Sequence, residues 1–379
     1  MPETHTAARQ LNTNDRATDP LGQPPAPLIA RKQGPGEWWY YNGHLSSQGR
    51  RYSVHIAFFR FASDGFKIAR IIPLTLLGNN VAFAHCSVTD HQTGTVYFSQ
   101  RRGFRNHEAS NAFLDVRIDD WSIDAIDHMH RVQTKSPNFE LALSFRPLKP
   151  LVIHARGWEP WDHDHSSVHC SISRMQVVGD LRTDDSCEQV SGMGWMDREF
   201  GNIGPNRSVQ GWDWMSIQLS DGHDLMLYSV IQRDGTRCLR ATQVDEDGNS
   251  CPLHPGTISL KATQFWTSRV TSIKYPVAWF IRTEDGTINL RLELELDANE
   301  FDTRGSTATF YAESPAKVTG THRGVAVTGQ AFLESVGEHP GLIGCFDHPR
   351  QNMPLLGYVV NEARCRFRSW TDQVSRLCR

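Results

Sequence analysis

The stretch Ser191–Gly222, SGMGWMDREFGNIGPNRSVQGWDWMSIQLSDG, holds the densest set of residues able to do chemistry. Asp197, Arg198 and Glu199 sit between Trp195 and Phe200, glycines bracket them, and Trp212 and Trp214 follow. If Gly194–Phe200 is a strand, alternation puts Trp195, Asp197 and Glu199 on one face and Met196, Arg198 and Phe200 on the other. Two carboxyls and an indole then share a surface. Desolvation and like-charge repulsion there raise a carboxyl pKa, which keeps an acid protonated near neutral pH. The competing reading is a salt-bridged strand end in which Arg198 neutralises a neighbouring carboxylate, because structural ion pairs also perturb pKa values.

A second cluster lies upstream. His154, His163, Asp164, His165 and His169 place imidazoles at spacings of two and four beside a carboxylate, a donor set suited to zinc or another transition metal. Against that, the run follows Pro160, reads as a loop, and contains no HExxH pattern. No metal is assigned. His169 is a lone histidine in a strand, for which a satisfied structural role stands beside a catalytic one.

The elements that must position these residues are almost all strands. The four aromatics of Glu37-Trp38-Trp39-Tyr40-Tyr41 open a strand, a turn at Ser46–Arg50 follows, and Tyr52–Phe61 returns as a largely apolar strand, giving a hairpin. Further strands are expected at Val81–Thr89, Thr95–Gln100, Ala112–Ile118, His130–Lys135 and Phe139–Phe145, punctuated by Pro137, Pro147 and Pro150. Trp212–Leu219 and His223–Ile231 form another hairpin across Ser220-Asp221-Gly222. Thr287–Asp297 alternates most clearly, with Ile288, Leu290, Leu292, Leu294 and Leu296 inward and Asn289, Arg291, Glu293 and Glu295 outward. Val325–Glu334 is a later strand, and Asn361–Arg379 is read as a terminal helix. Recurrent turns and near-absent amphipathic helices indicate sandwiches or barrels. The hairpin after Trp38-Trp39 is echoed by the hairpin after Trp212-x-Trp214, which suggests one design used twice with a ligand between the copies.

Composition narrows the function. The chain has 379 residues, 39% hydrophobic and 21% charged, with a net charge of −3, so it carries ample core for two domains. Nothing in that charge favours nucleic acid or an anionic membrane as partner. No run approaches the roughly 18 apolar residues of a membrane span. The polar, Pro-rich N-terminus lacks the basic-then-apolar pattern of a secretory signal, so a disordered tail over 1–30 and a cytoplasmic protein are expected. Eight scattered cysteines without a CxxC pair read as reduced thiols. No nucleotide loop, Gly-x-Ser-x-Gly elbow or dinucleotide fingerprint occurs, so no cofactor is expected.

Five motifs in order carry a resemblance: Glu37-Trp38-Trp39-Tyr40, Phe83–Asp90 (FAHCSVTD), Gly194–Gly201 (GWMDREFG), Gly211-Trp212-Asp213-Trp214 and Gly329–Glu334 (GQAFLE). Together they resemble the AttH/carotenoid 1,2-hydratase family over about residues 34–340. The resemblance implies an all-β fold of two lipocalin-like antiparallel barrels, here 31–205 and 206–379, with a substrate channel at their junction. The family includes carotenoid hydratases, a fungal hydratase of a plant isoflavonoid, and cyclases that close decalin or dihydropyran rings. It implies Asp197 as proton donor, Trp195 as the aromatic two residues before it, and His169 as the upstream histidine. One departure is Arg198, where the family commonly has histidine; a cation pointing into the same space would lower the pKa of Asp197.

Acid-catalysed hydration of an isolated alkene needs a protonated acid, a means to stabilise a carbocation, and a held water. Asp197 would supply the proton, while His169 or Glu199 orients or deprotonates the water. Trp38, Trp39, Trp195, Trp212 and Trp214 offer ring faces to the cation, each worth roughly 0.5–2 kcal/mol, although each also reads as core packing. A Diels–Alderase-type cyclase needs only a shaped channel and donors such as Tyr40, Asn42, His85, Arg198 and Tyr228. The expectation is a cofactor-free enzyme of specialised metabolism acting on a small apolar polyene or isoprenoid-type substrate, with hydration ahead of cyclisation and a lipid or pigment carrier third. Self-association into a homodimer is left open.

Overall fold

In a computed structural model of the chain, the residues described are 28–31, 36–63, 67–68, 72–73, 79–103, 106–160, 166–183, 186–202, 209–232, 234–307 and 309–336. They build two large antiparallel sheets, one of twelve strands and one of ten, with a two-stranded ribbon (Lys67–Ile68 with Ile72–Pro73) beside them. One curls into a nearly closed barrel and the other into a half-barrel, giving two lipocalin-like domains. The expected terminal helix Asn361–Arg379 lies outside the described residues.

The two sheets share one plan. In the first, the hairpin Gly36–Ser47/Arg50–Ala62 lies mid-sheet, and Cys187–Gly201 comes back to pair with Gly36–Ser47. In the second, the hairpin Val209–Leu219/Asp224–Gln232 occupies the same place, and Val325–Val336 comes back to pair with Val209–Leu219. The first hairpin turns through Gln48 and Gly49, both at positive φ (45° and 84°). Such turns match the right-handed twist of the strands they join.

Each barrel has its own core. Phe139, Leu141, Leu143 and Phe145 alternate into the first, with Trp39, Tyr41, Phe58 and Trp121. Ile288, Leu290 and Leu292 fill the second with Ile217, Trp279 and Leu333. A third apolar cluster joins the sheets: Tyr40, Ala57 and Trp195 from the first meet Trp214, Met226, Tyr228, Val230 and Phe332 from the second. Polar contacts fix the same junction. Asn42 donates to Ser216 (2.9 Å), and Gln218 donates to the carbonyls of Ser173 (2.7 Å) and Gly194 (2.9 Å). Asp224 receives Lys149 (2.7 Å), Arg174 (2.6 Å) and Ser173 (2.8 Å).

Several boundaries differ from the sequence expectation. The strand expected over Ala112–Ile118 starts at Asp115, because the backbone amides of Ala112 and Phe113 turn toward the Ser110 hydroxyl (3.2 and 3.4 Å). The strand expected over Thr287–Asp297 spans Ile288–Leu294, and Leu294 and Leu296 are only half-buried. Beyond it the Glu295 carboxylate turns to meet Arg51 (2.6 Å). Leu28 and Ala30, placed in the disordered tail, are buried in the first core, where the Leu28 carbonyl accepts Trp39 Nε1 (2.8 Å).

Candidate functional site

The register of the first sheet sets Ser171, Asp197 and Tyr40 in one row across three strands, and His169, Glu199 and Trp38 in the next. This face meets the second sheet, where Tyr228, Trp214 and Glu334 form a facing row. The Tyr40 and Trp214 rings lie edge-on at 5.0 Å, and Trp195 and Trp214 at 6.5 Å. Trp38, Phe59, Trp212 and Cys238 are half-buried around this aromatic cluster and form its rim.

Asp197 lies at the floor. Its Oδ2 meets His169 Nε2 at 2.6 Å, and its Oδ1 accepts both Trp195 Nε1 (2.5 Å) and the Ser171 hydroxyl. Burial raises the Asp197 pKa, but the charge and hydrogen bond of His169, with His154 and the Ser171 hydroxyl, together outweigh it, and the carboxyl is held below its usual range. Burial likewise works to lower His169, yet Asp197, then Glu199 and Glu159, raise it to about 9. The pair therefore stands as imidazolium and carboxylate at neutral pH. Three donors to one buried carboxylate make it an anion held in place.

Glu199 is different. Burial pushes its pKa up to about 7, against the lowering effect of His169. Its Oε2 lies 3.9 Å from His169 Nδ1, while Glu199 Oε1 and His169 Nδ1 have no hydrogen-bond partner among the described residues. His154 closes this side: its ring packs edge-on against His169 at 4.9 Å, its Nε2 meets Ser171 Oγ at 2.7 Å, and burial lowers its pKa to about 3. Trp214 Nε1 is also buried without a partner. The junction thus gathers a proton-bearing carboxyl, an imidazolium and an unpaired indole N–H inside an aromatic wall.

A second carboxyl pair faces it. Glu313 and Glu334 are cross-strand neighbours in the second sheet, Glu313 buried and Glu334 half-buried. Glu313 accepts the Tyr40 hydroxyl (2.6 Å), and Glu334 accepts Trp212 Nε1 (2.6 Å). Burial, then repulsion from Glu334, pushes Glu313 well up; burial pushes Glu334 up to about 7. Two like charges side by side, one of them buried, cannot both ionise cheaply.

The residues named from the sequence divide cleanly. Asp197, His169, Glu199, Tyr40, Trp195, Trp214 and Tyr228 meet at the junction, with Trp38 and Trp212 at its rim. Tyr228 donates to Glu159 (2.5 Å). His85 also lies between the sheets, but Tyr311 (2.9 Å) and Ser306 (2.8 Å) occupy both its nitrogens, and burial lowers its pKa to about 3. Two placements are corrected. Trp39 points into the first barrel's core, as strand alternation after Trp38 requires. Arg198 does too: fully buried between the Trp39 (4.1 Å) and Phe200 (5.0 Å) rings, it pairs with Glu37 and donates to the Glu199 carbonyl (2.6 Å). It acts on the opposite side of the strand from Asp197. His163, Asp164 and His165 lie outside the described residues.

Glu159, Ser171, Glu313 and Glu334 were not picked out from the sequence. Ser171 stands two residues from His169, the spacing that puts both on one strand face. Glu334 closes the GQAFLE motif. Glu159 and Glu313 give no local signal, since their partners Tyr228 and Tyr40 are 69 and 273 residues away.

Two curved antiparallel sheets closed by returning strands, with an aromatic junction holding buried acids, define a two-domain lipocalin-like protein. The AttH-like family model matches residues 23–338, and the chain belongs to this family. It is similar to a putative AttH from Nitrosomonas europaea, with 25% identity, 83% of this chain and 96% of that one covered, and a TM-score of 0.73. Kievitone hydratase from Nectria haematococca shares the fold at 14% identity, covering 82% of this chain and 93% of that one, with a TM-score of 0.65. CghA with Sch210972 shares it at 12% identity, covering 80% and 89%, with a TM-score of 0.51. No curated protein matches the sequence. Among the described residues no helix is long and apolar enough to cross a membrane.

Proposed function

We propose that this protein is an enzyme that adds water across a carbon–carbon double bond of a small apolar substrate held between the two sheets. The observation that carries the reading is the line Glu199–His169–Asp197, buried beneath Tyr40, Trp195, Trp214 and Tyr228. Glu199, with a pKa near 7 and a free oxygen, is the acid. Its proton goes to one alkene carbon, the aromatic faces stabilise the cation formed at the other, and water adds there. The proton released from that water returns to the Glu199 carboxylate, so the enzyme ends as it began. Asp197 keeps His169 charged and oriented, and the imidazolium beside Glu199 steadies the carboxylate that forms in mid-reaction. This moves the proton donor two residues along the strand from the aspartate that the family resemblance implies. Kinship in fold with a hydratase supports the reaction class.

One observation favours a second reading, intramolecular cyclisation of a polyene. The paired acids Glu313 and Glu334 and the unpaired Trp214 N–H line the opposite wall, where they suit a polarised carbonyl better than an alkene. The two readings part on Glu199→Gln. Hydration loses at least a hundredfold in turnover with substrate affinity kept, while a cyclase working by shape and by the Glu313 side retains most of its rate. A carrier turns over nothing in either form.

A further inference from the structure

Apart from the junction, one cluster combines metal-ligating donors with unspent hydrogen-bonding capacity. Asp221 and His223 lie in and just after the Ser220–Gly222 turn that joins Val209–Leu219 to Asp224–Gln232, and His322 ends the strand Phe310–His322. Their donor atoms all lie within 4.8 Å of one another. Asp221 Oδ2 is 2.6 Å from His322 Nδ1, Asp221 Oδ1 is 3.5 Å from His223 Nδ1, and the two rings meet edge-on at 4.5 Å. We propose that Asp221, His223 and His322 form a binding site for one divalent transition-metal ion of the zinc class.

The second, independent observation is His223 itself. Its side chain is 8% exposed, and neither ring nitrogen has a hydrogen-bond partner among the described residues. A buried imidazole with both nitrogens unspent is costly unless something is bound there. Two imidazoles and one carboxylate form a donor set that zinc accepts, with about 2.0–2.2 Å to each ligand. A tetrahedral ion at that distance spaces its ligands about 3.4 Å apart, a separation that falls within the 4.8 Å enclosing the three donor atoms. The ion displaces the proton now shared by Asp221 and His322 Nδ1, and the remaining His322 Nε2–H faces Gln243, 3.0 Å away. Gln243 can turn its amide oxygen to accept that proton, the outer contact that fixes a metal-bound histidine. Asp221 is 29% exposed and gives the ion a way in. Two cations lie close by and both are occupied: Lys149 by the Gly222 carbonyl (2.6 Å) and Asp224 (2.7 Å), and Arg174 by Asp224 (2.6 Å) and the His223 carbonyl (3.4 Å), while the Asp245 carboxylate acts on His223 with the opposite sign.

The location gives the site a role. Gly222 and Asp224, on either side of His223, receive Lys149 and Arg174 from the first barrel. A bound ion would tie this turn to the end of Phe310–His322 and stiffen the latch between the barrels. The test uses the full-length untagged chain, stripped with chelator and titrated with zinc by calorimetry, with metal counted by mass spectrometry after desalting. We expect one zinc per chain and a raised thermal midpoint, both lost in His223→Ala, with affinity down at least tenfold in the conservative His322→Gln. His128→Ala, in an exposed turn, and the double variant His163→Ala/His165→Ala should bind as the wild type does. Absence of stoichiometric zinc, or an ion retained by a folded His223→Ala and lost from His163→Ala/His165→Ala, would overturn the proposal. If His223→Ala does not fold, His322→Gln decides alone: unchanged affinity refutes the site.

Discussion

Glu199→Gln should stabilise the protein while abolishing its chemistry, and the stabilisation should grow with pH. The native carboxyl titrates at about 7 where an ordinary glutamate titrates at 4.5, because burial disfavours its charge. The folded state therefore holds a proton that the unfolded chain releases, and stability falls as pH rises from 4.5 through 7. At about 1.4 kcal/mol per pKa unit the full cost is about 3 kcal/mol above pH 8. Roughly 1.4 kcal/mol of it is already present at pH 5.5, where an unfolded glutamate is mostly ionised. Glutamine keeps the shape of the protonated acid and carries no charge. Urea unfolding of both proteins at pH 5.5 and 8.5 should show the variant's advantage widening by about 2 kcal/mol between the two. A constant difference, or one that shrinks at pH 8.5, would refute the assignment of Glu199 as the group that holds its proton. Stability gained with activity lost is the usual signature of a strained functional residue.

Three further outcomes follow from the same geometry. Asp197→Asn leaves His169 to its burial, so its pKa, followed by NMR of the imidazole protons, should fall from about 9 into the neutral-imidazole range. The lost ion pair should cost about 3–5 kcal/mol near pH 6.5 and progressively less as pH rises from there to 9, since a raised histidine pKa contributes stability that is lost between the unfolded and folded values. Arg198→Ala should destabilise by about 3 kcal/mol, near the lower end for a broken buried pair because Arg60 (2.6 Å) still holds Glu37, while kcat per folded molecule changes little. Equal loss of kcat and stability would return Arg198 to the active site. Gly192→Ala would set a Cβ 1.9 Å from the His44 carbonyl oxygen, across the strand pair that carries Asp197. A fall in thermal midpoint of several degrees is expected, and an unchanged midpoint would show that the strand pair gives way.

Much of this architecture is legible in the residues. Period two along Trp195–Phe200 separates Asp197 and Glu199 from Arg198, and the structure keeps that separation. The same rule applied to Trp38-Trp39 assigns Trp39 to the core, where it lies; two adjacent residues on one strand cannot both face a substrate. The repeated Trp-led hairpin corresponds to the repeated sheet plan. What the chain does not display is long-range pairing. Tyr40 with Glu313 and Tyr228 with Glu159 depend on how two sheets meet, and Asp221 with His322 on pairing within the second sheet, which no local pattern encodes. The proton's location was equally hidden. Asp197 and Glu199 have the same chemistry and the same strand face, and the groups around them, three donors for one, Ser167 and an unpaired oxygen for the other, push their pKa values apart. Leu294 and Leu296 show the opposite failure, a periodic pattern that runs on past the end of its strand at Leu294 while both leucines stay half-buried.

The central claim, that the junction adds water to a double bond, is tested most directly with ¹⁸O-labelled water. The purified chain is incubated with an apolar unsaturated extract of the producing cells, and products are read by mass spectrometry beside Glu199→Gln. Hydration predicts a product heavier by one labelled water, formed by the wild type and absent from the variant. A new product of unchanged mass and no label would contradict it and move the chemistry to the Glu313–Glu334 wall.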